Sequence, residues 1–490
     1  MKVITRDGRA VEFDRNKIAV AIEKANTEVK GKEKASKQEI ENIIEFIEDI
    51  DKKRVLVEDI QDIIEQKLME IKKYNLAKKY IVYRYTRALV RKQNTTDESI
   101  LGIIKNTSRQ VVNEDINNNS IIASNQRDLI AGEVSKDLTR RILLPEKISK
   151  AHNEKIIKFH NSEYFIQPII NSCLINIEDM LENGTVINGK MIDSPTSFQV
   201  ACIIITQIIL AVASSQYGIE YVDINCLGKY LRKSYNKYKK HLKETYSDKL
   251  SLELIQEIAD NNIKHELQSG IQTIIYQINT AMTTKGKPPQ VVLLLNSEED
   301  SQYNKENNLI LEELIHQINQ GMKNKNGKYE PIELPKMITE PKRIHEIKDN
   351  KFDQGMVSIN LSQIGTLAEK NSKEFWKLLD ERAELCREAL MYRHYALLGT
   401  AADMSPIHWR YGAIARLEQG ETIDKLLKDG ESTLTLGYVG LKSSVQKMMQ
   451  KENSNKDMLS FEKDIIKFLK EKTIKWTKES GIKFVLTECK

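Results

Sequence analysis

Four short apolar runs constrain this chain most: Ile169–Asn176 (IINSCLIN), Gln290–Leu295 (QVVLLL), Met356–Leu361 (MVSINL) and Thr433–Tyr438 (TLTLGY). Each is too short for a globular helix and reads as a strand buried on both faces. Long stretches of helical periodicity separate them, among them Glu374–Leu397 and a closing helix over about 460–479 that ends at Gly481. Strands joined through long helices call for an α/β core. At 490 residues the chain exceeds one ordinary core, so two or three domains are expected.

A first unit is expected over residues 1–93. Val3–Thr5 and Val11–Phe13 form a hairpin around Arg6-Asp7-Gly8-Arg9, with glycine where positive φ is needed. Asp14 caps a helix from Arg15 to about Thr27, and helices follow near 37–50, 57–72 and 75–92. Asn94–Glu98 (NTTDE) reads as a polar linker into a second unit, 99–490. That unit reads as mostly helical up to 285, with the 169–176 strand embedded in it. Residues 296–350 are lysine-rich, hold three of the nine prolines, and read as mostly surface connection.

Composition excludes several classes. The net charge is +5 (75 − 70), too small to argue for nucleic acid. Tyr80–Lys92 and Tyr230–Lys243 alternate aromatics with cations, and both read as amphipathic helices rather than basic grooves. The five cysteines (173, 202, 226, 386 and 489) contain no C-x-x-C pair, so no zinc site is expected. The charged N-terminus does not read as a signal peptide. The most apolar run, Val200–Ala213, contains Gln207 and falls short of the ~20 residues that span a bilayer. A cytoplasmic protein without a membrane partner is expected.

In the hairpin, Arg6, Arg9 and Lys17 gather near a helix N-terminus, an arrangement that favours anions. VITRDGRAVEFDRNKIAVAIEKA (3–25) resembles the ATP-cone, a nucleotide-binding regulatory domain of ribonucleotide reductases. Val3, Arg6, Asp7, Gly8, Arg9, Phe13, Lys17 and Ile18 match its motif, and Glu12 joins the site set. Thr5 stands where the family has lysine. The resemblance implies ATP or dATP as allosteric ligand.

The body resembles the anaerobic (class III) ribonucleoside-triphosphate reductases, in order, at 126–148, 160–189, 207–218, 375–400 and 424–441. The resemblance implies a ten-stranded α/β barrel that converts NTPs to dNTPs. In the family a C-terminal glycyl radical passes its spin to a cysteine on a central finger loop, and a second cysteine on a barrel strand takes part in reduction. The strand motif there is N-C-x-L. Here Asn171 is followed by Ser172, and Cys173 comes one place later. Successive strand residues face opposite sides. Ser172 therefore takes the family cysteine's place, Cys173 is expected to fill space, and no catalytic residue is assigned. Pro335–Met356 replaces the finger loop and lacks cysteine, and Cys386 is assigned to packing. The sequence ends at Lys490, before the positions where the family carries its zinc site and glycyl radical, so an incomplete barrel is expected. QIILAVASSQYG resembles the helix beside the family's effector site and dimer interface, which makes Gln207, Ser214, Ser215, Gln216 and Tyr217 candidates there.

Three functional readings follow. The chain is a nucleotide-responsive regulatory or accessory homologue, in a homo-oligomer or paired with a reductase subunit. It is the working part of a split reductase in deoxyribonucleotide synthesis. Or it is a nucleotide-dependent DNA-binding regulator, the reading that the missing C-x-x-C weakens most.

Overall fold

The computed structural model describes residues 2–4, 10–50, 54–104, 123–246, 250–284, 288–295, 302–449 and 455–489. The chain divides into two compact units, Met1–Gly102 and Ile103–Lys490.

The first unit holds a small sheet ordered β2 (Ala10–Glu12), β1 (Lys2–Ile4), β3 (Arg54–Leu56). β1 pairs antiparallel with β2, as the hairpin motif requires, and parallel with β3. Four helices follow the expected pattern: α1 (Arg15–Asn26), α2 (Lys37–Glu48), α3 (Val57–Glu70) and α4 (Tyr74–Ile104). Asp14 caps α1 through the Asn16 amide, and Ser36 with Glu39 makes a reciprocal capping box on α2. Ile22, Ile44, Ile47, Ile64, Leu68 and Leu76 fill the core between them. β3 is too short to announce itself in sequence. The Asn94–Glu98 linker is corrected: these residues continue α4, because nothing in NTTDE breaks a helix already under way.

The second unit is α/β. Its sheet runs β12 (Lys336–Ile338), β9 (Val291–Leu294), β8 (Glu220–Asp223), β5 (Ser172–Ile175), β13 (Phe352–Asn360), β14 (Ser432–Val439), β15 (Lys483–Glu488), with β4 (Ile157–Phe159) also on β13. The first four are parallel and so are the last three, and the two sets meet at the antiparallel β5–β13 junction. The result is a half-barrel. Hairpins β6–β7 (Thr185–Ile187, Lys190–Ile192) and β10–β11 (Met322–Lys323, Tyr329–Glu330) stand outside it.

Helices α5 (Ala123–Leu138), α6 (Glu146–Asn153) and α7 (Ile177–Glu182) precede the main covering helices. α8 (Phe198–Ala213), α9 (Leu227–Tyr246), α10 (Leu252–Thr280) and α11 (Asn304–Gln320) belong to the first half; α12 (Pro341–Lys348), α13 (Leu361–Leu367), α14 (Ser372–Leu397), α15 (Leu441–Met448) and α16 (Asn455–Ser480) follow. One sheet face of the first half packs Cys173, Ile175, Val222 and Leu293 against Ile205, Ile208 and Ile209 of α8 and Ile271 and Ile274 of α10. Burying each such isoleucine contributes roughly 1.5–3 kcal/mol. Gly270 lets α8 and α10 approach: a Cβ there would stand 2.5 Å from the Phe198 ring. In the second half, Val357, Leu434, Leu436 and Phe484 pack on Leu379 and Leu390 of α14 and Leu469 and Trp476 of α16.

One further expectation is corrected and one strand is new. Residues 296–350 are not mostly connection: described residues there form the amphipathic α11, the edge strand β12 and α12. The charge density that suggested a loop belongs to the solvent faces of these helices. β15, from GIKFVLTEC, was hidden because its strand run is short and ends in charge.

Candidate functional site

The opening strand β5 has the burial alternation of a two-faced strand. Cys173 is 1% exposed, on the face packed by α8 and α10, in register with Phe352 and Glu220. Burial pushes its thiol pKa well up, and the nearby Glu220 carboxylate adds to that, so it stays a protonated apolar filler. Ser172 lies on the other face, paired with Asp353 across the antiparallel junction.

That face carries a buried polar cluster. Asp353 Oδ2 accepts from Asn171 Nδ2 at 2.6 Å, while Oδ1 accepts from Thr435 Oγ1 at 2.7 Å and Thr433 Oγ1 at 3.2 Å. Burial raises the Asp353 pKa to about 6, with the Asn171, Thr435 and Thr433 hydrogen bonds and the Arg393 charge holding it down. A bulge follows at Asp353/Gly355. Gln354, two residues on from Phe352, faces the helix side, where its Nε2 donates to Ser432 and its Oε1 meets His394 Nδ1 at 3.0 Å. Gly355 (φ +155°) is required, since a Cβ there would be 2.3 Å from Arg393 Cδ. Arg393 lies over the Phe159 ring at 3.9 Å and donates to Tyr217 Oη at 3.0 Å and to the His160 carbonyl. Tyr217 stacks on Tyr164, and burial pushes its pKa up to about 12. His160 Nε2 sits 2.6 Å from Ser358 Oγ; burial lowers its pKa to about 3, so it is neutral.

The half-barrel's same face is partly covered from within the chain. Ile344 and Ile347 of α12 pack on Leu174, Tyr221, Val292, Leu294 and Ile338. At the far end Cys489 follows β15, and its thiol lies 3.6 Å from Met356 Sδ.

Two sequence families account for this architecture. The profile described as anaerobic ribonucleoside-triphosphate reductase matches residues 114–354 and 343–489, and the ATP cone domain profile matches 1–89. The chain belongs to the anaerobic ribonucleoside-triphosphate reductase family. It is 28% identical over 544 residues to the anaerobic ribonucleoside-triphosphate reductase of Haemophilus influenzae, covering 99% of this chain and 76% of that one. It is also 28% identical to the enterobacteria phage T4 reductase, over 71% of this chain and 67% of that one. The anaerobic reductase of Thermotoga maritima, solved in complex with dATP and CTP, superposes with a TM-score of 0.54 at 11% identity, over 81% of this chain and 75% of that one. That likeness concerns the fold.

In this anaerobic-reductase homologue, Pro335–Met356 forms part of β12 through α12 to β13 rather than an extended loop. α12 thus occupies the inner sheet face from the segment read as the finger-loop replacement. Cys386 is fully buried in the second-half core, as expected for packing. Of the ATP-cone residues, Val3 is buried between Val11 and Val55, Phe13 is half-buried against the cone core, and Glu12 and Lys17 are exposed. Lys17 Nζ lies 3.9 Å from Asp14. Arg6, Asp7, Gly8 and Arg9 lie outside the described residues. Arg84 is held by Glu58, Asp62 and Glu65, consistent with a helix face rather than a nucleic-acid groove.

The five effector-site candidates do not share one surface. Gln207 is exposed on α8 beside Val200 and Ile203. Ser214 and Ser215 are half-buried; the Ser214 carbonyl accepts from Thr284, and Ser215 Oγ donates to Ala211. Gln216 is fully buried, donating to the Ile219 carbonyl and meeting His408 Nε2 at 3.2 Å. Tyr217 faces Arg393. Sequence reading missed Asp353 and Arg393. Their signal was weak: one acid at the head of a strand run, and one arginine amid helical charges. Among the described residues no group of three or more metal-ligating side chains forms, and no helix is long and apolar enough to cross a membrane.

Proposed function

We propose that this chain is a nucleotide-responsive regulatory or accessory member of the anaerobic reductase family, binding ATP or dATP through its cone and not reducing ribonucleotides by itself. The observation that carries the reading is the pair Ser172 and Cys173. The residue on the inner face beside Asp353 is a hydroxyl, and the adjacent thiol is sealed in the apolar core on the other face. Hydrogen-atom exchange and reversible oxidation need the weak S–H bond, and a serine O–H cannot replace it. α12, without a cysteine, covers the inner face nearby. Regulation acts through the cone and through assembly with a second copy or a reductase subunit.

The test is anaerobic assay of dNTP formation by the purified chain alone, by a complete family reductase, and by their mixture. The chain alone gives no dNTP, and its presence changes the complete enzyme's response to dATP. dNTP formed by the chain alone and lost in Ser172→Ala would overturn the first half. A mixture that behaves as the complete enzyme alone would overturn the second.

A further inference from the structure

α10 and α11 pack side by side and present polar stripes to one groove. On α10 the stripe is Gln268, Gln272 and Tyr276, at i, i+4 and i+8; on α11 it is Glu313, His316 and Gln320. Gln317 ties the two helices, its Nε2 donating to the Gln268 carbonyl at 3.0 Å and to Glu313 Oε1 at 2.6 Å. The groove closes where α11 ends. Gly321 (φ +81°) turns the chain there into the β10–β11 hairpin, and a Cβ at that position would stand 2.3 Å from the Glu330 carbonyl oxygen. The turn brings Tyr329 and Ile332 into the groove wall. The cleft so formed holds about 230 Å³, below the roughly 300 Å³ where drug-sized sites begin, so it suits a ligand of few heavy atoms. Its lining takes nothing from the main sheet or from the first unit.

The lining selects by charge. Glu313 is its one carboxylate, and no lysine or arginine belongs to it, so an anion finds no counter-charge there. Glu313 Oε1 is held by Gln317, while its Oε2 meets no protein donor among the described residues. The side chains of Gln268, Gln272 and His316 likewise make no protein hydrogen bond among the described residues. A glutamine amide can turn its oxygen towards a donor. Tyr276 is 43% exposed. Lys323 Nζ stands 5.4 Å from the Tyr329 ring centroid, so that ring already serves an ammonium; the Tyr276 ring meets no cation among the described residues. The electron-rich face of a tyrosine near a carboxylate attracts a cation. A bare hard metal ion calls for six or more oxygen ligands, which one carboxylate and an apolar wall of Ile275 and Ile332 do not supply. That wall suits an alkyl chain instead.

We propose that this cleft binds a small organic ammonium ion, the ammonium at Glu313 Oε2, the glutamine oxygens and the Tyr276 ring, and its alkyl chain along Ile275 and Ile332. The site stands apart from the cone and does not depend on the reading of the chain as a regulatory homologue.

The test is saturation-transfer NMR on the full chain without nucleotide, with n-butylammonium as probe and n-butanol as its uncharged match. One screened ion pair and one cation–ring contact together make the ammonium bind about three- to thirtyfold tighter than the alcohol. Glu313→Gln removes the charge and keeps an acceptor for Gln317; Tyr276→Leu removes the ring at an exposed position. Each lowers the preference for the ammonium, and the double variant binds both probes alike, with far-ultraviolet circular dichroism showing unchanged helix content. Equal affinity of the wild type for the two probes, or no saturable signal from n-butylammonium, would overturn the proposal. So would a preference undiminished in both single variants, or one that survives in the double variant.

Discussion

Replacing Asp353 with asparagine isolates the electrostatics of the inner-face cluster. The free side chain titrates near 3.8, and the folded one near 6. A carboxyl whose pKa is raised by folding stabilises the fold while protonated. That contribution is full below 3.8 and is lost as pH rises through 6. Integrating the two titrations gives about 1.4 kcal/mol more stability at pH 5 than at pH 8, approaching about 3 kcal/mol below pH 4. Asp353→Asn has no such titration, and Asn171 can turn its amide to meet the new donor. The wild-type minus variant difference should therefore change by about 1.4 kcal/mol between pH 8 and pH 5. Neutral His160 and His152, whose pKa values burial lowers to about 3 and about 4, weaken the fold as pH drops below their unfolded value, but they do so in both proteins and cancel. Urea unfolding followed by tryptophan fluorescence is the assay. Trp376, Trp409 and Trp476 all lie in the second unit, so the signal ignores the cone. A difference that stays constant across this range would refute a buried, desolvated Asp353.

Cys173→Ser places an unpartnered hydroxyl among apolar side chains and should lower stability by about 1–3 kcal/mol in the same urea assay, with ATP binding unchanged. Gly355→Ala forces a Cβ into Arg393 and a φ that alanine avoids; a loss of at least about 1–3 kcal/mol is expected from urea midpoints. Ser36→Ala removes the α2 capping box and should cost the cone about 1 kcal/mol, visible in far-ultraviolet thermal melts but not in tryptophan fluorescence.

Much of the fold was legible because its signals are local. Buried strands such as β13 and β14 are continuous apolar runs, and α1 and α2 carry their own caps at Asp14 and Ser36. The Ser172/Cys173 alternation needed only strand geometry. What stayed hidden depends on distant partners. β3 and β15 exist because a neighbouring strand offers hydrogen bonds, not because their own sequence insists. α12 looked like a loop because five of its eight residues are charged or histidine; only Ile344 and Ile347 show which side meets the sheet. The Asp353 cluster joins residues 171, 353, 433 and 435, and no spacing in the sequence predicts that meeting. Gln216 sits within a motif whose resemblance pointed to an effector surface, yet its amide is consumed by His408 and the Ile219 carbonyl.

The most direct test of the central claim is calorimetric titration of the chain with dATP and ATP, beside an Arg6→Ala, Arg9→Ala variant, with light scattering following assembly. A nucleotide-sensing homologue gives saturable binding whose cone component the variant loses, together with a change in oligomeric state. Isotherms identical in both proteins, or no saturable heat in either, would contradict it.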